Sequence, residues 1–529
     1  MFDLVQRRLR ALSEALDPVC LKDSRIGLEK ESLRVARNGG VAMTPHPSAW
    51  GAALTHPWLT TDYSEALAEF ITPPLAKPGQ ALDFLADLQS YAYRRLPGEM
   101  LWATSMPCVL AGEDNIPIAQ YGDSNLGLMK HVYRVGLGYR YGRVMQVIAG
   151  VHFNWSLPDS FWTAYARTLG QDLSKPVRDE YYMGMIRNLL RIGWLIPYLF
   201  GASPAVCKSF FRDGVSRLDS FDESTFYEPY ATSLRMGDIG YQNKREEGLG
   251  IHVSYDDVSA YAQSLLAAVT TPAKAWEKIG IRGDDGYRQL NANLLQIENE
   301  YYNSVRPKQL LQGLESPALA LLERGVEYVE LRSLDVNAYH PLGVDEVQLC
   351  FLEALLLTCV LAASPPLDAD EQREVNDNVL RVAHRGREPG LQLGRGGVSV
   401  PLREWGQEVL ETVLLVAEFL DRVHGGHTYE DATDDQLRKL MHPELTPSAR
   451  MLEEMRDRGE GFYEFARRLS TQHHRFFSLR ELSAERVAEF DAAVARSFQD
   501  LATIEGREQP DFDRFLQAYF APTYAAVAG

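Results

Sequence analysis

No apolar run in this chain is long enough to cross a membrane. The longest, around 194–200 and 355–363, fall far short of the roughly 20 residues that a spanning helix needs. A signal peptide is not expected either, because Asp3, Glu14 and Asp17 interrupt the N-terminal stretch. Basic residues are in deficit: 54 Lys and Arg stand against 72 Asp and Glu, a net charge of -18. That excludes nucleic acid and anionic membrane as main partners, since phosphate backbones need clustered cations. It leaves room for a local basic pocket that takes a nucleotide. Cysteine is scarce, with five scattered residues at 20, 108, 207, 350 and 359 and no CxxC pair. This pattern predicts reduced thiols in a cytoplasm and argues against a structural zinc site. A phosphate loop is missing too. Residues 201–209 lack its second glycine, and Gly136–Gly142 is one residue off the dinucleotide fingerprint and precedes a strand instead of following one. If the chain uses ATP, it does so without a P-loop. There is no internal repeat and no low-complexity segment.

What is present is ordinary in bulk and unusual in pattern. Apolar content is 45% and charged content 24%, as in globular proteins. The length allows a large core and more than one packing unit. Residues 1–16 carry Val5, Leu9, Leu12 and Leu16 at helical spacing. Residues 25–35 read as a strand that ends at Asn38-Gly39-Gly40. Side chains alternate along a strand, so Glu29 and Glu31 share a face about 7 Å apart. Two like charges so placed repel each other. The plain reading is an edge strand with solvated acids, but similar strands recur along the chain. Residues 67–72 form a second strand, carrying Glu69, with Asp62 on the entering loop. The alternative there is a short helix with an Asp62–Glu65 capping box. Residues 81–95 and 180–200 have helical patterns, and Tyr133-Arg134 fits a helix that leads into the next strand.

Residues 144–156 read as that strand, with Gln146, Ile148, Gly150, His152, Asn154 and Ser156 in a polar row and Val147, Val151, Phe153 and Trp155 in an apolar one. The segment 230–241 is turn-rich and holds Arg235 and Tyr241, a composition that lets the backbone approach a ligand. Residues 289–300 and 327–335 give two further strands. In the second, Tyr328, Glu330 and Arg332 share one face, with Val329 and Leu331 behind. From about Val344 helical patterns dominate, with loops at 390–397 and 425–426. His424, His427, His473 and His474 are read there as surface residues.

The tally is Glu29, Glu31, Asp62, Glu69, Glu330 and His152, with Gln146 and Arg332 on the same segments. If they converge, each carboxylate pair at 4 Å costs about 4 kcal/mol at an effective dielectric near 20. Arginines or divalent cations would offset this. Oxygen ligands with one imidazole suit Mg²⁺ or Mn²⁺. Mg²⁺ on a few carboxylates completes its shell with water and phosphate oxygens, which points to phosphoryl transfer from ATP. Arg235, Arg306 and Arg332 are candidates for gripping a carboxylate or the transferring phosphoryl group.

Six blocks in order, Gly27–Glu31, 60–73, 145–154, 229–235, 295–300 and 330–335, resemble the proteobacterial type of glutamate–cysteine ligase. The resemblance runs from about residue 20 to 400 and more loosely beyond. It implies an α+β fold of the glutamine synthetase and guanidino kinase kind, in which an antiparallel sheet curls into a half-barrel with helices behind it. A catalytic region over 1–343 would carry the active-site bowl, with a mainly helical region over 344–529 packed on it. The implied reaction is the first step of glutathione synthesis. ATP phosphorylates the γ-carboxyl of L-glutamate, and the amino group of L-cysteine displaces phosphate. Residue by residue, the resemblance implies a metal shell of Glu29, Glu31, Asp62, Glu69, His152 and Glu330. It implies a cysteine pocket of Tyr133, Gln146, Tyr241 and Tyr302. Arg235 and Arg332 would anchor the substrate carboxylate or the γ-phosphate as catalytic groups, with Arg332 also on the nucleotide. Glutathione would act as a feedback ligand. Phe153, Gln309 and Ala338 depart from the family pattern, which bears on fine substrate preference and not on the reaction class.

Overall fold

The computed structural model of the protein describes residues 2–15, 18–211, 216–240, 251–284 and 286–528. Its centre is a seven-stranded antiparallel sheet. In chain order the strands are β1 (Arg25–Ala36), β2 (Leu59–Thr61), β3 (Leu67–Ile71), β4 (Glu99–Leu101), β5 (Gly150–Ser156), β6 (Val305–Lys308) and β7 (Tyr328–Asp335). Across the sheet the order is β6-β7-β5-β1-β3-β2, and β4 pairs with the far end of β1. All the pairings are antiparallel. With the surrounding helices this is the α+β class expected.

The acidic strand is central, with β5 on one side and β3 on the other. Its two faces differ from Ile26 to Glu31, and beyond that both are buried. Ile26 and Leu28 are fully buried on one face, and Lys30 on that face bonds Gln89 of the helix α2 (Pro78–Tyr93). Glu29 and Glu31 occupy the opposite face, facing His152 and Glu69 across the register. The strand reading of 67–72 is also right, and Asp62 lies just after β2 on the way to it.

Further helices used below are α3 (Asn125–Tyr141), α4 (Lys175–Ile192), α5 (Glu346–Leu361), α6 (Ala369–Arg385), α7 (Leu402–His424), α8 (Thr428–Met441), α9 (Pro447–Arg458) and α10 (Phe462–Leu479). Side-chain caps fix several starts: Ser124 accepts from Gly127 N, Asp345 from Gln348 N and Thr446 from Ala449 N, which satisfies donors the helix leaves open. α5 is buried from Gln348 to Leu361, as a helix that is apolar all round must be. It lies behind the sheet, where Trp155 Nε1 reaches Glu353 at 3.4 Å. Among the described residues no helix is long and apolar enough to cross a membrane.

Several expectations fail, each for a physical reason. Residues 144–149 are not strand: Met145–Val147 is a 3₁₀ turn, and β5 begins only at Gly150. Residues 289–300 are loop ending in the 3₁₀ turn Glu298–Glu300. There the alternating polar side chains bond locally, as where Asn291 and Gln296 tie the loop to itself. The 390–397 loop is part of a hairpin, Gln392–Arg395 with Val398–Pro401, turned by Gly396 and Gly397 at φ 62° and 77°. The helical stretch around 180–200 is broken at Gly193 into α4 and Leu195–Phe200. His473 is buried and not at the surface. Not all the thiols are reduced: Cys108 and Cys207 form a disulfide, with Cα atoms 5.4 Å apart across a sequence separation of 99. Such a distance in the chain leaves no spacing signal to read. Cys350 and Cys359 are buried free thiols.

Glu353 is a buried carboxyl on the back of the sheet, accepting from Tyr429 at 2.9 Å and from Trp155. Burial pushes it up to about 7, against the pull of those two bonds. Its folded value therefore exceeds the ordinary 4.5, and the folded state holds the proton more tightly. That contribution to stability is complete below about pH 4.5 and is lost as pH rises through about 7. The gap corresponds to about 3 kcal/mol. Thermal melts at about pH 5 and pH 8 should show Glu353→Gln losing this part of the pH dependence. Equal slopes for variant and parent would contradict the assignment.

Candidate active site

The polar face of the sheet is built by register. Glu29 on β1 stands opposite His152 on β5, and Glu330 on β7 stands opposite Asn154. His152 Nδ1 lies 3.1 Å from Glu29 Oε2 and 3.9 Å from Glu330 Oε1, and its Nε2 lies 3.7 Å from Glu31 Oε1. Asn154 donates to Glu29 at 2.7 Å, and the backbone N–H of Gly150 donates to Glu31 at 2.6 Å. Ligand atoms of Glu29, His152 and Glu330 all fall within 4.8 Å of one another. Two carboxylates and an imidazole at that spacing fit a hard divalent cation.

The other three acids of the expected metal shell, Glu31, Asp62 and Glu69, continue this cluster towards β2 and β3. Glu69 is the register partner of Glu31, and Asp62 is close enough to raise both of their pKa values. Burial first, then the charges of Glu29, Asp62 and Glu31, pushes Glu69 well above the usual carboxylate range. Burial and Asp62 also push Glu31 up, against the pull of His152 and Arg235. Glu330 is the opposite case. It is 1% exposed, and burial would raise it, yet Lys308, Arg332, His152 and Arg306 hold it well below the usual range. Lys308 Nζ is 3.2 Å from its Oε1 and Arg332 Nη1 donates at 3.0 Å to its Oε2.

A cleft of about 810 Å³, including its open mouth, lies over this face. Glu31, Asp62, Tyr133, Gln146, His152, Arg235, Tyr302, Arg306 and Arg332 all line it, so nine residues singled out in the sequence meet at one place. Glu29, Glu69 and Glu330 adjoin it through their register partners and His152. Tyr241 lies outside the described residues. Gln146 reaches the cleft from a 3₁₀ turn and not from the expected strand row.

Arg235 sits on the turn Leu234–Met236 and is 2% exposed. Its Nη2 donates to Arg332 O at 2.9 Å and its Nη1 lies 3.8 Å from Asp335. Asp335 also accepts from Ser203, Ser233 and Ala202 N. Asp335 was missed as a site residue because simple alternation puts it on the apolar face with Val329 and Leu331. A register irregularity between Leu331 and Leu334 shifts it opposite Gly150, on the cleft side. A second buried anchor, Arg140–Glu300 at 2.8 Å with both side chains fully buried, ties α3 to the loop that carries Tyr302. Tyr141 also donates to Glu300, at 2.8 Å, and Gln296 donates to Tyr133 O at 3.2 Å. No sequence spacing signals this pair.

Across a second opening, Lys308, Pro307, Leu310, Leu311 and Tyr328 line a cavity of about 730 Å³ that shares Asn299 and Arg306 with the first. Glu330 therefore stands between two cavities, bonded to Lys308 of one and Arg332 of the other.

An open antiparallel sheet with clustered carboxylates on one face, basic side chains among them and two adjoining cavities suits the site of a phosphoryl-transfer enzyme or ligase. The comparisons give the particular family. The glutamate-cysteine ligase family model matches residues 9–382. A glutamate–cysteine ligase of Pseudomonas paraeruginosa is 47% identical over 529 residues, all of both chains. That of Azotobacter vinelandii is 46% identical over 525 residues, 98% of this chain and 99% of its own. In structure, the Francisella tularensis glutamate–cysteine ligase, solved in complex with AMP, superposes with a TM-score of 0.89 at 33% identity, covering 95% of this chain and 98% of that one. The chain belongs to the glutamate–cysteine ligase family and is an ATP-dependent ligase.

Gly150 yields a direct test of the cleft. A Cβ there would collide with the Arg235 guanidinium, and the shift would also disturb the bond to Glu31. Gly150→Ala should lose about a hundredfold or more in kcat/KM, nearly 3 kcal/mol, while circular dichroism stays that of the parent. Near-parental turnover would show that Arg235 need not sit where it does.

Proposed function

We propose that the chain joins the γ-carboxyl of L-glutamate to the amino group of L-cysteine, consuming ATP, with the chemistry centred on Glu330. The observation that carries this is its position between the two cavities, flanked by Lys308 and Arg332. In this reading the second cavity takes the nucleotide. Tyr328, Pro307, Leu310 and Leu311 offer apolar and aromatic surface to a base, and the Francisella relative's complex with AMP supports a nucleotide site somewhere in the chain. The cleft takes glutamate and cysteine. A γ-carboxylate oxygen attacks the terminal phosphorus, and ADP leaves. The cysteine nitrogen then attacks the carbonyl carbon of γ-glutamyl phosphate, phosphate leaves and the nitrogen sheds a proton. A carboxylate is a poor electrophile, and the phosphoryl group supplies the leaving group it lacks.

Arg235 and Arg332 bind and orient carboxylate or phosphate oxygens, since both are held rigidly with fixed forks. Tyr133, Gln146 and Tyr302 shape the amine-substrate end, with Tyr241 assigned there by the resemblance alone. Glu29, His152 and Glu330 would hold Mg²⁺, or Mn²⁺ in its place, and Glu31, Asp62 and Glu69 further ions. Bound there, such ions would draw charge from the phosphates in transfer. Cytoplasmic residence follows from the need for ATP and free amino acids, and no longer from the cysteines. Glutathione, which contains the product, is the fitting feedback ligand for the same cleft.

The test is ADP release with Mg²⁺, ATP and L-glutamate, with and without L-cysteine, together with the product mass. The expected outcome is cysteine-dependent ADP formation and the mass of γ-glutamylcysteine. ADP formation that cysteine does not stimulate, or a far better reaction with 2-aminobutyrate, would keep acyl-phosphate chemistry and overturn the choice of amine.

A further inference from the structure

Away from the cleft, a groove runs between α9 and α10. Its walls follow from helical spacing. Arg450, Glu454 and Arg458 recur every four residues along α9 and so share a face, as do Arg468, Leu469, Gln472, His473 and Phe476 on α10. The floor is the turn after β7, with Ala338, Tyr339 and Pro341. The space enclosed, including the open side, is about 930 Å³.

Its charge runs against that of the molecule. In a chain of net charge -18, three arginines and a single carboxylate line the groove. The carboxylate is already shared. Glu454 accepts from Arg458 and Tyr339 at 3.0 Å each, and Arg468 lies 3.0 Å away. Arg468 is further paired with Glu460. Arg450 has no carboxylate within 4 Å among the described residues. Its guanidinium lies over the Tyr339 ring, 4.3 Å from the centroid, a contact that favours this placement of the side chain. Burial keeps His473 near 3, so it lines the groove as a neutral ring. Leu469 and Phe476 give one wall an apolar surface.

We propose that this groove is a binding site for a small anion bearing carboxylate or phosphate oxygens, separate from the catalytic cleft, in which Arg450 makes the principal contact. Two carboxylates or one phosphate supply the same chemistry: planar or tetrahedral oxygens for guanidinium forks. The apolar wall accommodates a short carbon body. The floor adjoins the elements that carry the catalytic face. Its turn follows directly on Asp335, which holds Arg235, and Pro341 O accepts from Lys30, which lies between Glu29 and Glu31 on β1.

The test is calorimetric titration of the full chain, free of nucleotide and divalent metal, with succinate in one arm and inorganic phosphate in the other. Saturable binding is expected in at least one arm, weakened about tenfold or more in Arg450→Ala and retained in Arg235→Ala, whose lesion lies in the cleft. The arm that saturates identifies the anion class. Arg450 is exposed and outside the cleft, so Arg450→Ala should keep its basal turnover, which controls for folding. With the cleft disabled by Arg235→Ala, binding that survives the added Arg450→Ala, the loss of all binding in Arg235→Ala alone, or no saturable heat in either arm would each overturn the proposal.

Discussion

Mutual repulsion among carboxylates on one face of a sheet is the constraint on which the rest of this structure depends. Glu29 and Glu31 share a face of β1, Glu69 sits opposite Glu31, and Glu330 comes in from β7. A sheet does not place like charges side by side without compensation. Here the compensation is uneven. Glu330 is paired with Lys308 and Arg332, and Glu29 is hydrogen-bonded by Asn154 and His152. Glu31 and Glu69 have less to offset them, and their affinity for protons is raised. That part of the face is where added positive charge would offset most repulsion.

The rest of the fold serves to hold that arrangement. α5 and α2 cover the apolar face, so the strands cannot turn their acids inward. Asp335 and two serines fix Arg235, and the buried Arg140–Glu300 pair fixes the wall that carries Tyr302. Breaking a buried pair of this kind leaves a lone charge and is costly, so these anchors bind the geometry of the cleft to the stability of the core.

Alternation made much of this legible in the sequence. Period-two patterning put Glu29 with Glu31, His152 with Asn154 and Glu330 with Arg332; the register bears out the first two pairs, and the bond from Arg332 to Glu330 brings the third together at the cleft. What alternation could not reveal is what departs from it. The irregularity in β7 turned Asp335 to the cleft, and a 3₁₀ turn delivered Gln146. In residues 289–300, polar side chains that bond to their own loop imitate a strand. Pairs distant in the chain, Arg140 with Glu300 and Cys108 with Cys207, have no local signature at all. The reading of reduced thiols failed for that reason.

The central claim is that the acidic face exists to bind divalent cations. It is tested most directly by titrating Mn²⁺ into the metal-free protein and following free Mn²⁺ by electron paramagnetic resonance. The account predicts saturable binding without nucleotide, with at least one ion lost in Glu29→Gln. Stoichiometry and affinity unchanged by that substitution, or no saturable binding by the parent, would contradict it.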